Sequence, residues 1–386
     1  MKTIERDDPG ANDIPVCLED FRALAQMRLP PDIFDYIDCG AGNEITRHAN
    51  QCDLDNIRLR PLCLRDVAAP SLSIDLLGQA FCSPIGFSPT AFHRLVHADG
   101  EIATAKAAKT LGAPMIVSCM SSLTLEEVAK GSGNDNLWLQ TYIFKDREVT
   151  LRLIQRAEHS GYKAIVVTLG CPVAGRRDKN IRNRFSLPQG IVAANFKQRD
   201  VVVHNNPIHS IEGAELDASL TWKDIEWLRG NVRLPIVLKG IMTPLDIPPA
   251  LDLQIGGLIV SNHGGRQLDT TESTIRVLPE IAATVAGRLP LLVDSGFRRG
   301  TDILKALALG ADAVFLGRPV LWALALGGEI GIIGAVNLLL EELRIAMQIA
   351  GCASIEEIRS NSLHIISRRQ SATLPPWSEA MCITQK

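Results

Sequence analysis

A histidine and an arginine stand three residues apart in Ser261-Asn262-His263-Gly264-Gly265-Arg266-Gln267-Leu268-Asp269. An imidazole exchanges a proton near neutral pH. A guanidinium grips a carboxylate through two parallel hydrogen bonds. Together they suit a reaction at the carbon next to a carboxyl group, with one side chain holding the acid while the other takes a proton. The preceding Gly257-Leu258-Ile259-Val260 is a short apolar run of the kind that forms a buried strand. The pair therefore sits at a strand's exit, on backbone loosened by two glycines. Taken alone, His-Gly-Gly reads equally well as a loop turn.

Similar runs recur from residue 83 onward, and they must position this pair. The expected strands are Pro84–Ser88, Met115–Ser118, Leu137–Tyr142, Ala164–Leu169, Pro235–Lys239, Gly257–Ser261, Leu291–Asp294 and Ala313–Leu316. Helical patterns, such as 100–109 and Thr301–Leu309, lie between them. Eight strands alternating with helices predict a (β/α)8 TIM barrel. An open doubly wound sheet is the alternative. It would carry a glycine fingerprint after its first strand, and Pro84-Ile85-Gly86-Phe87-Ser88-Pro89-Thr90 has none.

In such a barrel the reactive groups belong at the C-terminal ends of the strands. Those ends carry Pro89-Thr90-Ala91, Ser118, Gln140-Thr141-Tyr142, Thr168, Lys239, Ser261-Asn262-His263, Asp294-Ser295-Gly296 followed by Arg298, and Gly317-Arg318. The last two suit a phosphate: glycines bring backbone N–H groups close, helix N-termini add their positive ends, and Arg298 adds charge. Lys239 is open to two readings. It is either a cation beside a redox ring or a core lysine paired with a carboxylate.

The rest of the chain sets bounds. Of 386 residues, 46% are hydrophobic and 22% charged, enough for a large core. The net charge of -3 and the lack of a basic stripe argue against nucleic acid as a partner. No run of about 18 apolar residues free of charge occurs, so no membrane span is expected. Met1–Asp8 has no apolar segment, so no secretory signal is expected there. Nine cysteines without a Cys-x-x-Cys pair point to free thiols, no metal site and a cytoplasmic setting. Three parts are expected: a helical prefix over 1–80, a barrel over 81–366 and an extended tail over 367–386. In the prefix, Leu18–Leu29 and Pro31–Asp38 read as helices and Arg58–Leu62 as extended. The interval from Gly175 to about Leu220 reads as a loop that closes over the site.

The nine-residue string and the strand ends resemble the family of FMN-dependent 2-hydroxy-acid oxidases and dehydrogenases, which includes glycolate oxidase, lactate oxidase and mandelate dehydrogenase. The resemblance covers roughly residues 17 to 366. It implies bound FMN, held by Pro89, Thr90, Ala91, Ser118, Gln140, Thr168, Lys239 and Ser261 at the ring and upper ribityl chain. Asp294, Gly296, Arg298, Gly317 and Arg318 match the lower ribityl and phosphate contacts. Tyr36 and Tyr142 match substrate-binding tyrosines, Arg266 the carboxylate clamp, Arg177 an accessory arginine and His263 the base. The implied reaction oxidises an (S)-2-hydroxy acid to a 2-oxo acid, with oxygen or another acceptor taking the electrons. A homo-oligomer, a tetramer in the family, is implied as well.

One segment departs from the pattern. The family's Thr-x-Asp-Thr-Pro is here Thr168-Leu169-Gly170-Cys171-Pro172. The missing aspartate would orient the histidine. Three explanations stay open: Gly170 makes room for a larger substrate, the FMN chemistry has been redirected (oxidative decarboxylation, or oxidation of a bulky natural-product intermediate), or another residue orients His263. Met120 falls where family members vary with substrate, so it and Gly170 are expected in the substrate pocket. Cys171 has no base legible beside it and reads as a small buried residue.

Overall fold

Runs such as Ala-Ile-Val-Val-Thr and Leu-Leu-Val-Asp are too short for stable helices and rich in branched side chains, which suits strands buried on both faces. Eight of them form a closed parallel barrel in the computed structural model, which describes residues 14–196, 215–360 and 366–368. The strands are β1 (Ile85–Phe87), β2 (Met115–Ser118), β3 (Leu137–Thr141), β4 (Ala164–Thr168), β5 (Ile236–Ile241), β6 (Gly257–Val260), β7 (Leu291–Asp294) and β8 (Ala313–Leu316). Each pairs with the next, and β8 closes on β1. The barrel expected from sequence is thus the observed fold. One end differs by more than a residue of fraying. β5 runs on to Ile241 through a register shift after Lys239, where Gly240 adopts φ +115°. Such a shift is a bulge, and only glycine takes that backbone readily.

Side chains alternate across each strand. Ile116, Trp138, Ala164, Val166, Val237, Ile259, Leu292, Ala313 and Phe315 point inward and form one buried cluster. Their neighbours, including Val117, Leu139, Ile165, Val167, Leu258 and Val293, face the surrounding helices and join the main core. A hairpin of Ile74–Leu76 and Gln79–Phe81 closes the lower end by adding Leu76 and Phe81 to the inner cluster. The boundary expected between residues 80 and 81 therefore cuts through a structural unit. At Gly86 a Cβ would lie 2.5 Å from the Phe315 ring, so the glycine leaves the barrel's centre to that ring.

The prefix forms three helices, α1 (Leu18–Arg28), α2 (Pro31–Asp38) and α3 (Ile45–Asn56). Nothing in the sequence reading marks α3. Its buried face is Thr46, Asn50 and Leu54, a mostly polar stripe without hydrophobic periodicity. Asp38, buried at the end of α2, ties the three together. It accepts from Arg22 of α1 at 2.9 Å and from Arg47 of α3 at 2.6 Å. A carboxylate at a helix C-terminus opposes the helix dipole, so these two cations are what make it tolerable there. Ile57–Leu59 pairs antiparallel with Ile366–Arg368, so the start of the expected tail is tied to the prefix. Of the expected closing loop, 197–214 lie outside the described residues; before them the loop carries a short helix, Asp178–Arg182.

The helix Arg318–Ala350 is long and apolar enough to cross a membrane. Gly327 and Gly328 break it, and Val320 to Ala325 are buried. Phe315→Ala should leave a cavity at the barrel's centre and cost about 3–5 kcal/mol of stability, measured by urea denaturation.

Candidate active site

One step beyond the apolar plug, the same alternation turns Ser88, Ser118, Gln140, Thr168, Lys239, Ser261, Asp294 and Gly317 inward. All but Ser261 line the floor of the pocket at the C-terminal mouth. Two hydrogen-bond networks join them. Ser118 Oγ donates to Gln140 Oε1 at 3.2 Å, and Gln140 Nε2 donates to Thr168 Oγ1 at 3.0 Å. Lys239 Nζ donates to Ser261 Oγ at 2.7 Å and pairs with Asp294 Oδ2 at 2.8 Å. Ser88 and Ser295 also donate to Asp294, at 3.1 and 2.7 Å. Burial alone would raise the Asp294 carboxyl, but Lys239 and the hydroxyls hold it below the usual range. Lys239 is therefore a buried lysine paired with a carboxylate, and it also lines the pocket.

His263 opens a short turn after β6 in which three successive residues take left-handed backbone: His263 at φ +56°, Gly264 at +66° and Gly265 at +69°. A Cβ on Gly265 would approach the Arg47 nitrogen to 2.6 Å, and one on Gly264 would approach Arg318 Nη1 to 2.7 Å. The glycines therefore let this turn dock against α3 and against Arg318. His263 holds its strained backbone through a bond from its N–H to Ser261 Oγ, 3.1 Å. Its Nδ1 lies 3.2 Å from Cys171 Sγ. Burial, then Lys239, Arg266, Arg177 and Arg318, holds the imidazole well below its ordinary pKa, so it is neutral.

The two expected substrate arginines differ. Arg266 donates from Nη1 to the carbonyls of Ile37 and Cys39, at 3.1 and 2.9 Å, and from Nη2 to Tyr36 O at 2.9 Å. Its guanidinium also lies over the Tyr36 ring, 5.6 Å from the centroid. Arg177 Nε is buried with no partner among the described residues, and burial and Arg266 lower its pKa. Tyr36 stacks on Phe185 at 4.3 Å, and burial raises both the Tyr36 and Tyr142 phenols, so each remains a donor.

At the opposite end, Arg298 Nε is buried without a partner and its guanidinium lies 4.8 Å from the Trp322 ring centroid. Burial pushes its pKa down to about 10. Gly317 caps the helix that starts at Arg318, and Gly296 takes φ +96° just before the helix Gly300–Ala308. Arg298 Nη1 donates to Phe297 O at 2.8 Å, so Nε is the donor left unmatched among the described residues, and a cation with a spare donor beside two helix N-termini fits a phosphate. Arg318 lines the pocket at the start of its helix, but its guanidinium is engaged elsewhere. Its Nε donates to Ile37 O, and its Nη2 to Cys39 O and Gly264 O. Its side chain is a structural tie to α2, because the last carbonyls of that helix need donors.

The pocket thus brings together Tyr36, Pro89, Thr90, Ala91, Met120, Tyr142, Arg177, His263 and Arg266 with the strand-end residues, apart from Ser261, which acts from beneath. Gly170 does not belong with them. It is exposed and absent from the lining, whereas Cys171 is buried and lines it. β4 ends at Thr168, so strict alternation stops there and the chain turns Cys171 inward. The expectation that no base neighbours Cys171 is likewise corrected, since His263 is that neighbour. Sequence reasoning also passed over His93. It is buried between Thr90 Oγ1 at 2.7 Å and Thr104 Oγ1 at 2.9 Å, its N–H donates to Glu101, and it holds the Thr90 hydroxyl at the pocket wall. Only its place after the β1 exit could have signalled it. Among the described residues no cluster of His, Cys, Asp or Glu could hold a metal, and every cysteine is a free thiol.

A closed parallel barrel with an anion-ready pocket at its C-terminal mouth defines a class of barrel enzymes that bind phosphorylated ligands. Residues 25–365 match the FMN-dependent dehydrogenase family model, and the chain belongs to that family. It is an FMN-dependent oxidoreductase of the kind that acts on 2-hydroxy acids. A peroxisomal (S)-2-hydroxyacid oxidase of Arabidopsis thaliana is 41% identical over 93% of this chain and 99% of its own. An L-lactate oxidase of Nostoc is 42% identical over 91% and 98%. A mandelate oxidase solved with (S)-4-hydroxymandelic acid superposes with a TM-score of 0.84 at 41% identity, covering 89% of this chain and 98% of the other.

The depressed histidine has a consequence for stability. The unfolded chain protonates this imidazole at about 6.5 and the folded protein does not. Between its folded pKa and 6.5 the unfolded state therefore binds the extra proton, and stability falls as pH falls. His263→Gln should remove that contribution. The variant should lose less stability than the parent between pH 7.5 and pH 5, as read from urea midpoints at both values.

Proposed function

We propose that the protein oxidises an (S)-2-hydroxy acid to the 2-oxo acid, with His263 as the base. One observation carries the reading: a neutral imidazole shares a pocket with an arginine whose buried Nε has no partner. Bound FMN supplies the two-electron acceptor. In this reading Ser118, Gln140, Thr168, Lys239 and Ser261, with the Pro89-Thr90-Ala91 backbone, hold its ring and upper chain. Asp294, Gly296, Arg298 and Gly317 hold the lower chain and phosphate. Arg298 supplies the unmatched donor.

Arg177 donates to the substrate carboxylate, and Arg266 adds charge from the same side while anchoring α2. Tyr36 and Tyr142 donate from their hydroxyls. His263 accepts a proton at Nε2, because Nδ1 faces Cys171. Lys239 offsets negative charge that develops on the ring. Met120 flanks the substituent on the substrate's reacting carbon. Oxygen is the proposed final electron acceptor, in keeping with relatives that carry oxidase names.

The test is anaerobic bleaching of the bound flavin by a panel of small and aromatic 2-hydroxy acids. Rapid bleaching supports the reading. A yellow protein that none of them reduces overturns it in favour of altered FMN chemistry such as oxidative decarboxylation. His263→Ala should keep FMN and lose nearly all reduction. Arg298→Ala should weaken FMN binding by about 1.5–3 kcal/mol, read by fluorescence titration of the apoprotein.

A further inference from the structure

We propose that the Cys171 thiol is a positioning residue for His263, setting which imidazole nitrogen carries the proton; this rests on His263 being the base. The contact is direct, with Sγ 3.2 Å from Nδ1. The sulfur is buried and faces the pocket. The strand exits explain the approach. Cys171 follows β4 and His263 follows β6, with the β5 bulge between them. There Gly240 packs so tightly on the β4 exit that a Cβ on it would lie 2.6 Å from Gly170 N. That close passage lets the β4 segment reach over β5 to the histidine.

No carboxylate takes part. The groups facing His263 are Lys239 from β5, Arg177 and Cys171 from the β4 exit, Arg318 from the β8 exit and Arg266 from its own loop. The phenols of Tyr36 and Tyr142 share the pocket, and Asp294 is engaged by Lys239.

A thiol differs from a carboxylate in being both a weak donor and a weak acceptor. If S–H donates to Nδ1, the ring proton sits on Nε2, which then cannot accept. If Nδ1–H donates to Sγ, Nε2 is free to act as the base. A carboxylate would allow only the second arrangement, and it would stabilise the imidazolium. Burial pushes the Cys171 thiol up to about 11, so it stays protonated and is not a nucleophile. The thiol thus orients the base without adding charge and leaves the imidazole neutral well into acid.

The test compares the holoenzyme with Cys171→Ser, Cys171→Ala and Cys171→Asp, using Gly170→Ala as an off-pocket control. Two quantities are read: the rate of anaerobic flavin reduction against pH, and the titration of the His263 ring by 15N NMR, assigned by difference from His263→Asn. Cys171→Asp should raise the His263 pKa and move the acid limb of the rate profile up by about one pH unit or more. It should slow reduction in acid and speed it above the new pKa. Cys171→Ala should slow reduction about fivefold, the worth of one neutral hydrogen bond, with FMN binding unchanged. Cys171→Ser should recover most of that loss. The control should match the parent.

Rate profiles within twofold of the parent, with an unmoved His263 titration in both the Ala and Asp variants, overturn the proposal. If His263→Asn abolishes reduction in that case, the base reading survives while the positioning role fails. If His263→Asn reduces normally, the base reading fails, and the NMR titration alone decides the Cys171 contact. Should the Asp variant not fold, the Ser and Ala titrations decide it.

Discussion

Closure of eight parallel strands constrains everything else in this molecule. In a closed barrel every second residue must point at the axis, and the axis can hold only a few layers of side chains. Lower layers are apolar and dry, from Ile116 and Trp138 to Leu292 and Phe315. One residue pair further along each strand, the same parity delivers polar groups to the pocket floor. The buried Lys239–Asp294 pair can exist there because two serine hydroxyls and the cation satisfy the carboxylate. Chemistry and core are thus successive turns of one repeating pattern.

The prefix is built into the site as well as packed on it. α2 ends with its carbonyls of Tyr36, Ile37 and Cys39 pointing at Arg266 and Arg318. Those carbonyls carry the partial negative end of the helix, so they settle two cations that otherwise crowd one mouth. Tyr36 enters the pocket on the same helix. Asp38 fixes that same end to α1 and α3 through Arg22 and Arg47. Beside Arg266, Arg177 Nε keeps an unmatched donor among the described residues.

That excess of positive charge governs the histidine. Four cations and burial keep the imidazole neutral without a carboxylate beside it. The same field attracts an anionic substrate and disfavours the imidazolium that proton transfer would form. A carboxylate at the β4 exit would relieve the second effect; a thiol does not. For the proposed base, this sets constant availability against a weaker drive to take the proton.

Sequence alone determined the barrel, because each buried strand is a local run of branched apolar residues closed by a polar end, and local patterns need no tertiary information. The strand ends and the family resemblance also located the polar groups of the pocket, from Tyr36 and Thr90 to Arg298 and Gly317, but not its apolar lining such as Phe92, Leu316 and Leu321. Three things came only from tertiary structure. α3 has no apolar stripe to announce it; its polar face is buried only because the His263 turn and Asp269 dock on it. Arg266 and Arg318 look like anion ligands by type, but the α2 carbonyls that engage them lie more than 200 positions away. The significance of Gly170 and Cys171 was reversed, because alternation ends with the strand at Thr168 and the direction of the next three residues depends on the turn. Which of them meets His263, 92 positions further on, is decided by how two strand exits pass over the bulge between them.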